Sequence, residues 1–275
     1  MRDVRDATSR RSGVLIALLA LALVPGPVRA ETPPGAPLSG TRLLDRLRLP
    51  DAVGQLVLVI TPDWWATRGW LTLWERERGA WRRRGRPVDV VVGRSGMGWG
   101  RGLHLRATLA GPTKREGDGR SPAGIFDLGP MFGYGQAGPT GGSGFPYRQA
   151  TRRDFFVDDP GSAEYNTWVR LPEGVAPGDR WRSHEEMRRP DELYELGLVV
   201  QHNTDPVEPG AGSAIFVHLW RRPGSTTAGC TAMQREDLRG VLAWLDRARR
   251  PLLVQGPPEA VAAMAFRPSA RTHLR

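Results

Sequence analysis

Residues 213–233 read SAIFVHLWRRPGSTTAGCTAM. An apolar run ends at His218, a loop rich in Gly, Ser and Thr follows, and Cys230 comes just before a predicted helix. A short apolar run bounded by turn residues is typical of a buried strand. This stretch therefore predicts a buried strand that ends in a histidine, followed by a polar loop that carries a cysteine.

Cys230 is the only cysteine of the 275 residues. The reactive form of a cysteine is the thiolate, which a neighbouring base or the positive end of a helix stabilises. His218 is the candidate base, and the helix predicted after Met233 is expected to lower the pKa of the thiol. Gly229 lets the backbone approach a substrate, so the N–H groups around Cys230, with Gly229 and Thr231 included, are candidates for an oxyanion hole.

A structural interpretation of the same residues stays open at this point. Cys230 can be a small buried residue and His218 a hydrogen-bonded core histidine, since free cysteine is among the most buried residue types. The polar, glycine-rich loop favours the catalytic interpretation. His202 is the alternative base, and Asn203 follows it at the end of a neighbouring predicted strand.

Strand signals dominate the rest of the chain, and the fold class predicted from them is mostly β with a few short helices. The strands are expected at 55–60, 70–75, 80–84, 88–92, 103–110, 125–128, 154–157, 165–169, 197–201, 214–219 and 252–255. Helices are expected at 183–195, from a capping pattern at Ser183, and at 234–249. Residues 129–144 hold so many glycines that we expect a loop there. We expect this loop to act as a lid over the site.

The N-terminus carries an export signal. Residues 1–12 contain four arginines, residues 13–24 are apolar, and Val28, Arg29 and Ala30 form a small-residue cleavage site. The apolar run is shorter than the about 20 residues that span a bilayer, so we expect cleavage, export to the periplasm or cell envelope, and no membrane span afterwards. The choice between Sec and twin-arginine export stays open. The domains are then a signal peptide at 1–30, a linker at 31–54, a catalytic domain at 55–256 and a tail at 257–275.

Composition excludes other classes of protein. One cysteine rules out intramolecular disulfides. The net charge of +10 comes almost entirely from arginine, because Lys114 is the only lysine. A basic exported protein favours anionic wall polymers, and nucleic acid is not expected as a partner. No stretch has the spacing of a metal site, since Arg188 stands where a zinc protease of the His-Glu-x-x-His type needs its second histidine after His184.

Several ordered segments together resemble one family. They are GPTKREGDGRSPAGIF at 111–126, DDPGSAEYN at 158–166, GSAIFVH at 212–218, and the His218 strand followed by the Thr-x-Gly-Cys pattern at Thr227–Cys230. This order is similar to that of the L,D-transpeptidase catalytic domains, and the likeness extends over most of residues 55–256. The resemblance implies a mixed β-sheet sandwich and a monomer that needs no metal or cofactor. It also implies Cys230 as the nucleophile and His218 as the base.

The resemblance implies acyl transfer on peptidoglycan stem peptides. Hydrolysis by the same site, as in an L,D-carboxypeptidase, and a non-catalytic module that binds the wall through Trp and Arg side chains are the alternatives. Ala228 and Ala232 stand where many family members have histidine and arginine, so the third catalytic group and the carboxylate-binding cation stay open. The candidates for substrate binding are Lys114, Arg120, His202, Asn203, Arg221, Ser225 and Thr227, with Arg222 as a further cation.

Overall fold

The computed structural model describes residues 40–105, 110–139 and 144–267. The helices are α1 (Gly40–Arg46), α2 (Arg235–Trp244) and α3 (Pro258–Ala263), with 3-10 turns at Pro177–Asp179 and Arg247–Arg249. The strands are β1 (Gln55–Ile60), β2 (Arg68–Glu77), β3 (Ala80–Val91), β4 (Met97–Trp99), β5 (His104–Leu105), β6 (Ser121–Gly133), β7 (Tyr147–Gln149), β8 (Asp154–Val157), β9 (Trp168–Arg170), β10 (His184–Glu186), β11 (Leu196–Val200), β12 (Phe216–Leu219), β13 (Thr231–Met233), β14 (Leu252–Gly256) and β15 (Ala265–Phe266). The predicted mostly β class with few short helices is confirmed, while the predicted signal peptide lies outside the described residues.

The main sheet is mixed. Its strands follow the order β11-β12-β13-β3-β2-β1-β14-β6-β4, and β7 pairs with β6. The pairs β1–β14 and β12–β13 are parallel, whereas β1–β2 and β2–β3 are antiparallel. Because β11 pairs with β6 as well as with β12, the pairings close into a ring. A separate sheet has the order β10-β8-β9.

Strand β1 shows why an uninterrupted apolar run forms here. All six residues are buried. Leu56, Leu58 and Ile60 join a core cluster with α1 and α3, whereas Val57 and Val59 join a second cluster with α2. A strand covered on both faces has no polar side, so its sequence does not alternate. The sheet is therefore packed on two sides by apolar side chains.

The hairpin of β2 and β3 is longer than predicted. The two predicted strands at 80–84 and 88–92 form one strand, β3, with a register shift opposite Leu71 and Leu73. Gly85 lies in this region with φ +63°, a conformation that favours glycine. Gly-Arg-Pro at 85–87 predicts a turn between two strands, but a β-bulge at this place lets the strand continue through it.

The helix predicted at 183–195 is wrong. His184 and Glu186 instead pair with Val157 and Phe155 in the small sheet. The physical reason lies in Pro190, which has no N–H to donate and whose ring clashes with a preceding helical turn. A favourable capping pattern at Ser183 cannot compensate for a proline in the middle of the segment.

Folded structure extends beyond the predicted catalytic domain on both sides. Leu44 of α1 and Leu47 directly after it, both inside the predicted linker, are 2% and 0% exposed. After Gln255, where a tail is predicted from 257, helix α3 buries Ala260 and Val261 in the same core cluster. Both helices cover one face of β1 and β14, so the sheet needs them to keep this face from water.

The glycine-rich segment is only partly a loop. Residues 129–133 belong to β6, and the Phe132 side chain is fully buried against Phe216 with ring centroids 5.4 Å apart. Strands accept glycine where a neighbour approaches closely, and an atom added to Gly133 would meet the backbone of Glu195 at 2.5 Å. The first part of the predicted lid is therefore fixed in the sheet, and residues 140–143 lie outside the described residues.

Candidate active site

His218 and Cys230 are brought together by two parallel strands. His218 lies in β12, and its register partner in β13 is Ala232, two residues after the cysteine. One step earlier, Val217 pairs with Thr231, so Cys230 lies beside Phe216. The Phe216 N–H donates to the Cys230 sulfur at 3.3 Å. The loop between the strands thus returns the thiol to the strand that carries the histidine.

Hydrogen bonds from two hydroxyls fix the backbone of the cysteine. Ser121 donates to the Cys230 carbonyl at 2.9 Å and accepts from the Gly93 N–H at 2.9 Å. Thr227 donates to the same carbonyl at 2.6 Å and accepts from the Gly229 N–H at 3.1 Å. A carbonyl with two such donors cannot rotate without losing both. The predicted loop residue Thr227 therefore holds the cysteine in place.

His218 is oriented by a backbone carbonyl. Its Nδ1 atom lies 2.8 Å from the Leu219 oxygen, and the ring of Tyr194 packs edge-on at a centroid distance of 5.1 Å. Because a carbonyl only accepts, Nδ1 must carry the hydrogen and Nε2 keeps its lone pair in the neutral ring. Burial lowers the pKa of His218 to about 4, so the ring is neutral near pH 7.

The pKa of the Cys230 thiol is shifted upwards, whereas the sequence predicted a downward shift. Burial raises it to about 12, although the Phe216 N–H bond and the charges of Lys114 and Arg189 act to lower it. The predicted helix does not follow the cysteine directly, because β13 intervenes and α2 begins only at Arg235. The helix end is thus too far to stabilise a thiolate, since this effect is confined to the first turn. The resting pair is a thiol beside a neutral imidazole.

Both residues line one cavity of about 340 Å³. Five other predicted site residues line it as well: Lys114, Arg221, Ser225, Thr227 and Gly229. Lys114 is nearly fully buried and forms an ion pair of 2.7 Å with Asp118. Ser225 donates to the Arg222 carbonyl at 3.0 Å, and Arg221 pairs with Asp191 at 3.0 Å. The lysine is thus fixed inside the site, while Arg221 stands at its exposed edge.

Arg120 and Thr231 do not line this cavity. Arg120 donates to the carbonyls of Ser95 and Met97 at 2.6 and 3.0 Å and lies over the ring of Trp65. The Thr231 hydroxyl donates to Gln255 at 2.9 Å. Both side chains hold neighbouring segments together behind the cysteine loop. Sequence spacing alone cannot tell on which side of a strand such residues point in the fold.

His202 and Asn203 likewise lie outside the cavity. His202 is fully enclosed, with Nε2 at 3.1 Å from the Ala211 oxygen and Nδ1 accepting from the Arg101 N–H at 3.2 Å. Burial lowers its pKa to about 3. Asn203 donates to the carbonyls of Glu208 and Gly212 at 2.8 and 3.0 Å. These contacts close the 203–212 loop, so the histidine that shares a cavity with Cys230 is His218.

Several cavity residues were missed as site candidates. Tyr194, Glu185 and Arg189 come from the segment that was predicted as a helix, where no side-chain pattern marks them. Burial raises the pKa of Glu185, and its carboxylate accepts from the Tyr194 hydroxyl at 3.3 Å. Arg94 and Asp158 also line the cavity. A signal existed for Asp158, since it lies in a segment that carries the family resemblance.

Glu116 forms a polar cluster at the rim of the cavity. Its carboxylate accepts from the Ser213 hydroxyl at 2.7 Å and from the Tyr165 hydroxyl, whose pKa burial raises strongly. Tyr165 in turn accepts from the Gly212 N–H at 3.1 Å. These contacts tie the 111–120 loop to the segment that leads into β12.

Two structural observations bear on partners. The described part of the chain contains no group of three or more His, Cys, Asp or Glu side chains positioned to hold a metal ion. Within the same residues, no helix has the length and apolar character needed to cross a bilayer.

Comparisons with known proteins give two solved structures of low similarity and one family. The helical cell shape determining protein Pgp2 from Campylobacter jejuni is 16% identical, with a TM-score of 0.36, over 74% of this chain and 48% of that chain. A mutant of Pgp2 is 17% identical, with a TM-score of 0.36, over 76% and 49%. The chain spans about half the length of these structures. No curated protein matches the sequence. The family model for the L,D-transpeptidase catalytic domain matches residues 66–254. Since this match covers well over half of the sequence, the chain belongs to the L,D-transpeptidase catalytic domain family.

Proposed function

We propose that the protein is an exported peptidoglycan L,D-transpeptidase in which Cys230 is the nucleophile and His218 the general base. The observation that carries the proposal is the shared cavity, which is lined by the only cysteine of the sequence and by a neutral histidine whose Nδ1 is held by a backbone carbonyl. Membership of the family supplies the substrate class, the stem peptides of peptidoglycan.

In the first half of the reaction, Nε2 of His218 takes the proton of the thiol while the sulfur attacks the carbonyl carbon at the L-centre of the donor stem. The carbonyl oxygen becomes an oxyanion. The imidazolium then gives its proton to the nitrogen of the leaving D-residue, and the C–N bond breaks. A thioester of Cys230 and a free D-amino acid remain. Because the proton leaves during the attack, the reaction can start from the neutral thiol and needs no thiolate in the resting protein.

In the second half, the amine of another stem attacks the thioester. His218 takes a proton from this amine and returns one to the sulfur as the C–S bond breaks, so the thiol is restored and a new amide is formed. The Leu219 carbonyl, which fixes the tautomer of His218 and stabilises the imidazolium, is the third member of the machinery. A backbone oxygen performs this role whatever side chain stands at position 219.

The Cys230 N–H is the proposed oxyanion donor. The Gly229 N–H donates to Thr227 at 3.1 Å and is thereby occupied. Lys114 adds a buried positive charge to the lining of the cavity, and its field favours negative charge on the sulfur. Preorganised donors and charges of this kind stabilise the developing oxyanion without reorganisation. Lys114 is thus proposed as an electrostatic residue of the acylation step.

A wall-binding module is the weaker alternative. Stacking on sugars needs exposed aromatic rings. Trp74, Trp81, Trp99 and Trp181 are each less than 10% exposed and belong to core clusters. Trp65 is 65% exposed, but the Arg120 guanidinium lies over its ring. These tryptophans therefore stabilise the fold rather than form a continuous sugar-binding face.

The decisive experiment supplies purified tetrapeptide muropeptides with an amine acceptor and identifies the products by mass. We expect cross-linked or amino-acid-exchanged products with the wild-type protein and none with Cys230→Ala. Release of tripeptide alone, even with abundant acceptor, would assign the protein as an L,D-carboxypeptidase. Wall binding that Cys230→Ala leaves intact, with no products from the wild type, would favour the binding module.

A second test follows the acyl-enzyme itself. A carbapenem is an activated acyl donor, and we expect it to add its mass to the wild-type protein at Cys230. His218→Gln should slow this acylation by about a hundredfold or more, as loss of a general base does. Intact-protein mass spectrometry measures both rates. An adduct that persists in Cys230→Ala would place the nucleophile elsewhere.

A further inference from the structure

A substrate of the proposed function ends in a D-residue whose carboxylate lies next to the bond that Cys230 attacks. A carboxylate that leaves water needs a cation or several donors, because an unpaired charge is costly to desolvate. Four cationic side chains of the described residues line the cavity: Arg94, Lys114, Arg189 and Arg221.

Three of these cations already have carboxylate partners. Lys114 pairs with Asp118 at 2.7 Å. Arg189 and Arg221 pair with the two oxygens of Asp191, at 2.9 and 3.0 Å. Each would have to give up its present partner to bind a ligand. They are therefore poor candidates for the primary contact with a substrate carboxylate.

Arg94 differs from them. Its side chain is exposed, and no hydrogen bond or ion pair joins its guanidinium to the residues that the structure describes. Its backbone is nevertheless tied to the cysteine loop, because its N–H donates to the Thr227 carbonyl at 2.9 Å. Gly93, immediately before it, donates to the Ser121 hydroxyl that holds the Cys230 carbonyl. The backbone of Arg94 is thus anchored relative to the thiol, while its guanidinium has no partner among the described residues.

Gly119 limits where this side chain can lie. A Cβ atom at Gly119 would be 2.9 Å from Cγ and 3.0 Å from Cζ of Arg94. Gly119 has φ +70°, a conformation that also favours glycine. The arginine lies across the bare backbone of this residue. Such packing restricts its rotamers and lowers the entropy lost when the guanidinium binds a ligand.

We propose that Arg94 binds the terminal carboxylate of the D-residue at the scissile bond. The inference rests on the proposed function and deepens it by naming a specificity-determining residue. The planar fork of arginine matches a carboxylate with two parallel hydrogen bonds, which ammonium groups do not offer. This role falls to a residue of the loop after β3. The sequence had suggested four other cations for it: Arg221, Arg222, Arg120 and Lys114.

The test compares two donor tetrapeptides that differ only at the C-terminus, one with a free carboxylate and one with an amide. In the wild type we expect kcat/KM to be at least about tenfold higher for the carboxylate, because a hydrogen bond between charged groups stabilises binding more than one to a neutral amide. Arg94→Gln should remove this preference, chiefly through KM, with a clearly smaller loss for the amide substrate, which offers the guanidinium one neutral acceptor instead of a charged pair. Arg94→Lys should keep an intermediate preference, since the charge remains without the fork.

Arg83→Gln is the matched control, because it removes the same charge from an exposed position of β3 away from the cavity. It should leave the preference at the wild-type value. Binding of the carboxylate peptide to Cys230→Ala, measured by calorimetry with and without Arg94→Gln, gives a readout that needs no turnover. There the double variant should bind about tenfold or more weakly.

The outcomes separate the two ideas. Turnover by the wild type with a carboxylate preference that survives Arg94→Gln overturns the role of Arg94 and leaves the proposed function standing. Equal loss for both peptides also overturns it, since a merely structural role would affect both. A wild-type protein that neither binds nor converts the peptides overturns the proposed function and this inference with it.

Discussion

Backbone groups, rather than charged side chains, hold the thiol and the imidazole. Cys230 contacts the Phe216 N–H, and His218 contacts the Leu219 carbonyl. Neither contact has enough charge to offset burial, so the pKa of the thiol rises and that of the histidine falls. The residue types and their order could be predicted from the sequence. Their protonation states could not, because these depend on burial in the folded chain.

The first prediction concerns the reactivity of this thiol. With a pKa near 12, the folded protein should react with iodoacetamide slowly at pH 8, at a rate that rises about tenfold per pH unit towards pH 11. Unfolding in urea should speed the reaction at pH 8, because the unfolded thiol has an ordinary pKa. Alkylation followed by mass against pH measures this.

His218→Gln serves as the control for this titration. The variant should lose turnover but keep the wild-type alkylation profile, since the resting histidine is neutral and adds no charge beside the sulfur. A rate that reaches a plateau below pH 8 in the wild type and shifts upward in the variant would mean that a thiolate–imidazolium pair exists at rest, contrary to the prediction.

Among the elements, the small sheet forms part of the wall of the site. Asp158 follows β8, Glu185 lies in β10, and Phe156 of β8 packs on Phe216 of β12 at 5.1 Å. Strand β8 is predictable from its apolar residues, whereas β10 is not, because a strand of three residues with two glutamates has no apolar pattern of its own. Strand β10 forms because its backbone pairs with β8. Local patterns thus predict the strands that carry core residues and miss those that only complete a sheet.

The second prediction tests how this sheet is held. Burial would raise the pKa of Asp154, but hydrogen bonds from Arg170, Thr151 and Trp168 lower it to about 2. The carboxylate is fully buried, and the Arg170 contact is 2.8 Å. Asp154→Ala leaves the Thr151 and Trp168 donors without an acceptor, whereas the half-exposed arginines can turn to water, so we expect the free energy of unfolding to fall by about 1–3 kcal/mol. Urea denaturation measures the change.

Asp179→Asn, an exposed carboxylate in a 3-10 turn, should change the stability by less than about 0.5 kcal/mol. Hydrogen exchange in Asp154→Ala should increase first in β8, β9 and β10, before the main sheet. Equal loss of protection in β1 would show instead that the small sheet and the main sheet unfold as one unit.

At the scale of the whole molecule, closure of the main sheet accounts for what the sequence could not reveal. The central strand β1 is predictable because its residues are all apolar, and α2 because its apolar residues recur with helical spacing. Helix α3 was missed because it is short and largely alanine and glutamate, and only contact with the core makes it stable. The strands of the site are likewise recognisable, but the identity of the residues that face Cys230 depends on which strands become neighbours.

The last prediction concerns acid. His202 donates from Nε2 to Ala211 and accepts at Nδ1 from the Arg101 N–H, so a second proton on its ring would face a donor. Burial lowers the pKa of His202 to about 3 and that of His218 to about 4. The unfolded chain binds these protons near pH 6.5 and the folded chain does not, so stability must fall as the pH drops. Each histidine should contribute a loss of about 2 kcal/mol between pH 7 and pH 5.

Urea unfolding at pH 7, 6 and 5 measures this slope, and His218→Gln should reduce it by about half, whatever the stability of the variant at pH 7. The window stops at pH 5 because burial raises the pKa of Asp127, Asp158 and Glu185, and protons bound by these folded carboxyls act in the opposite direction at lower pH. A stability that stays constant from pH 7 to pH 5 would require the two rings to accept protons in the folded state, and with them a site in which His218 is charged before substrate arrives.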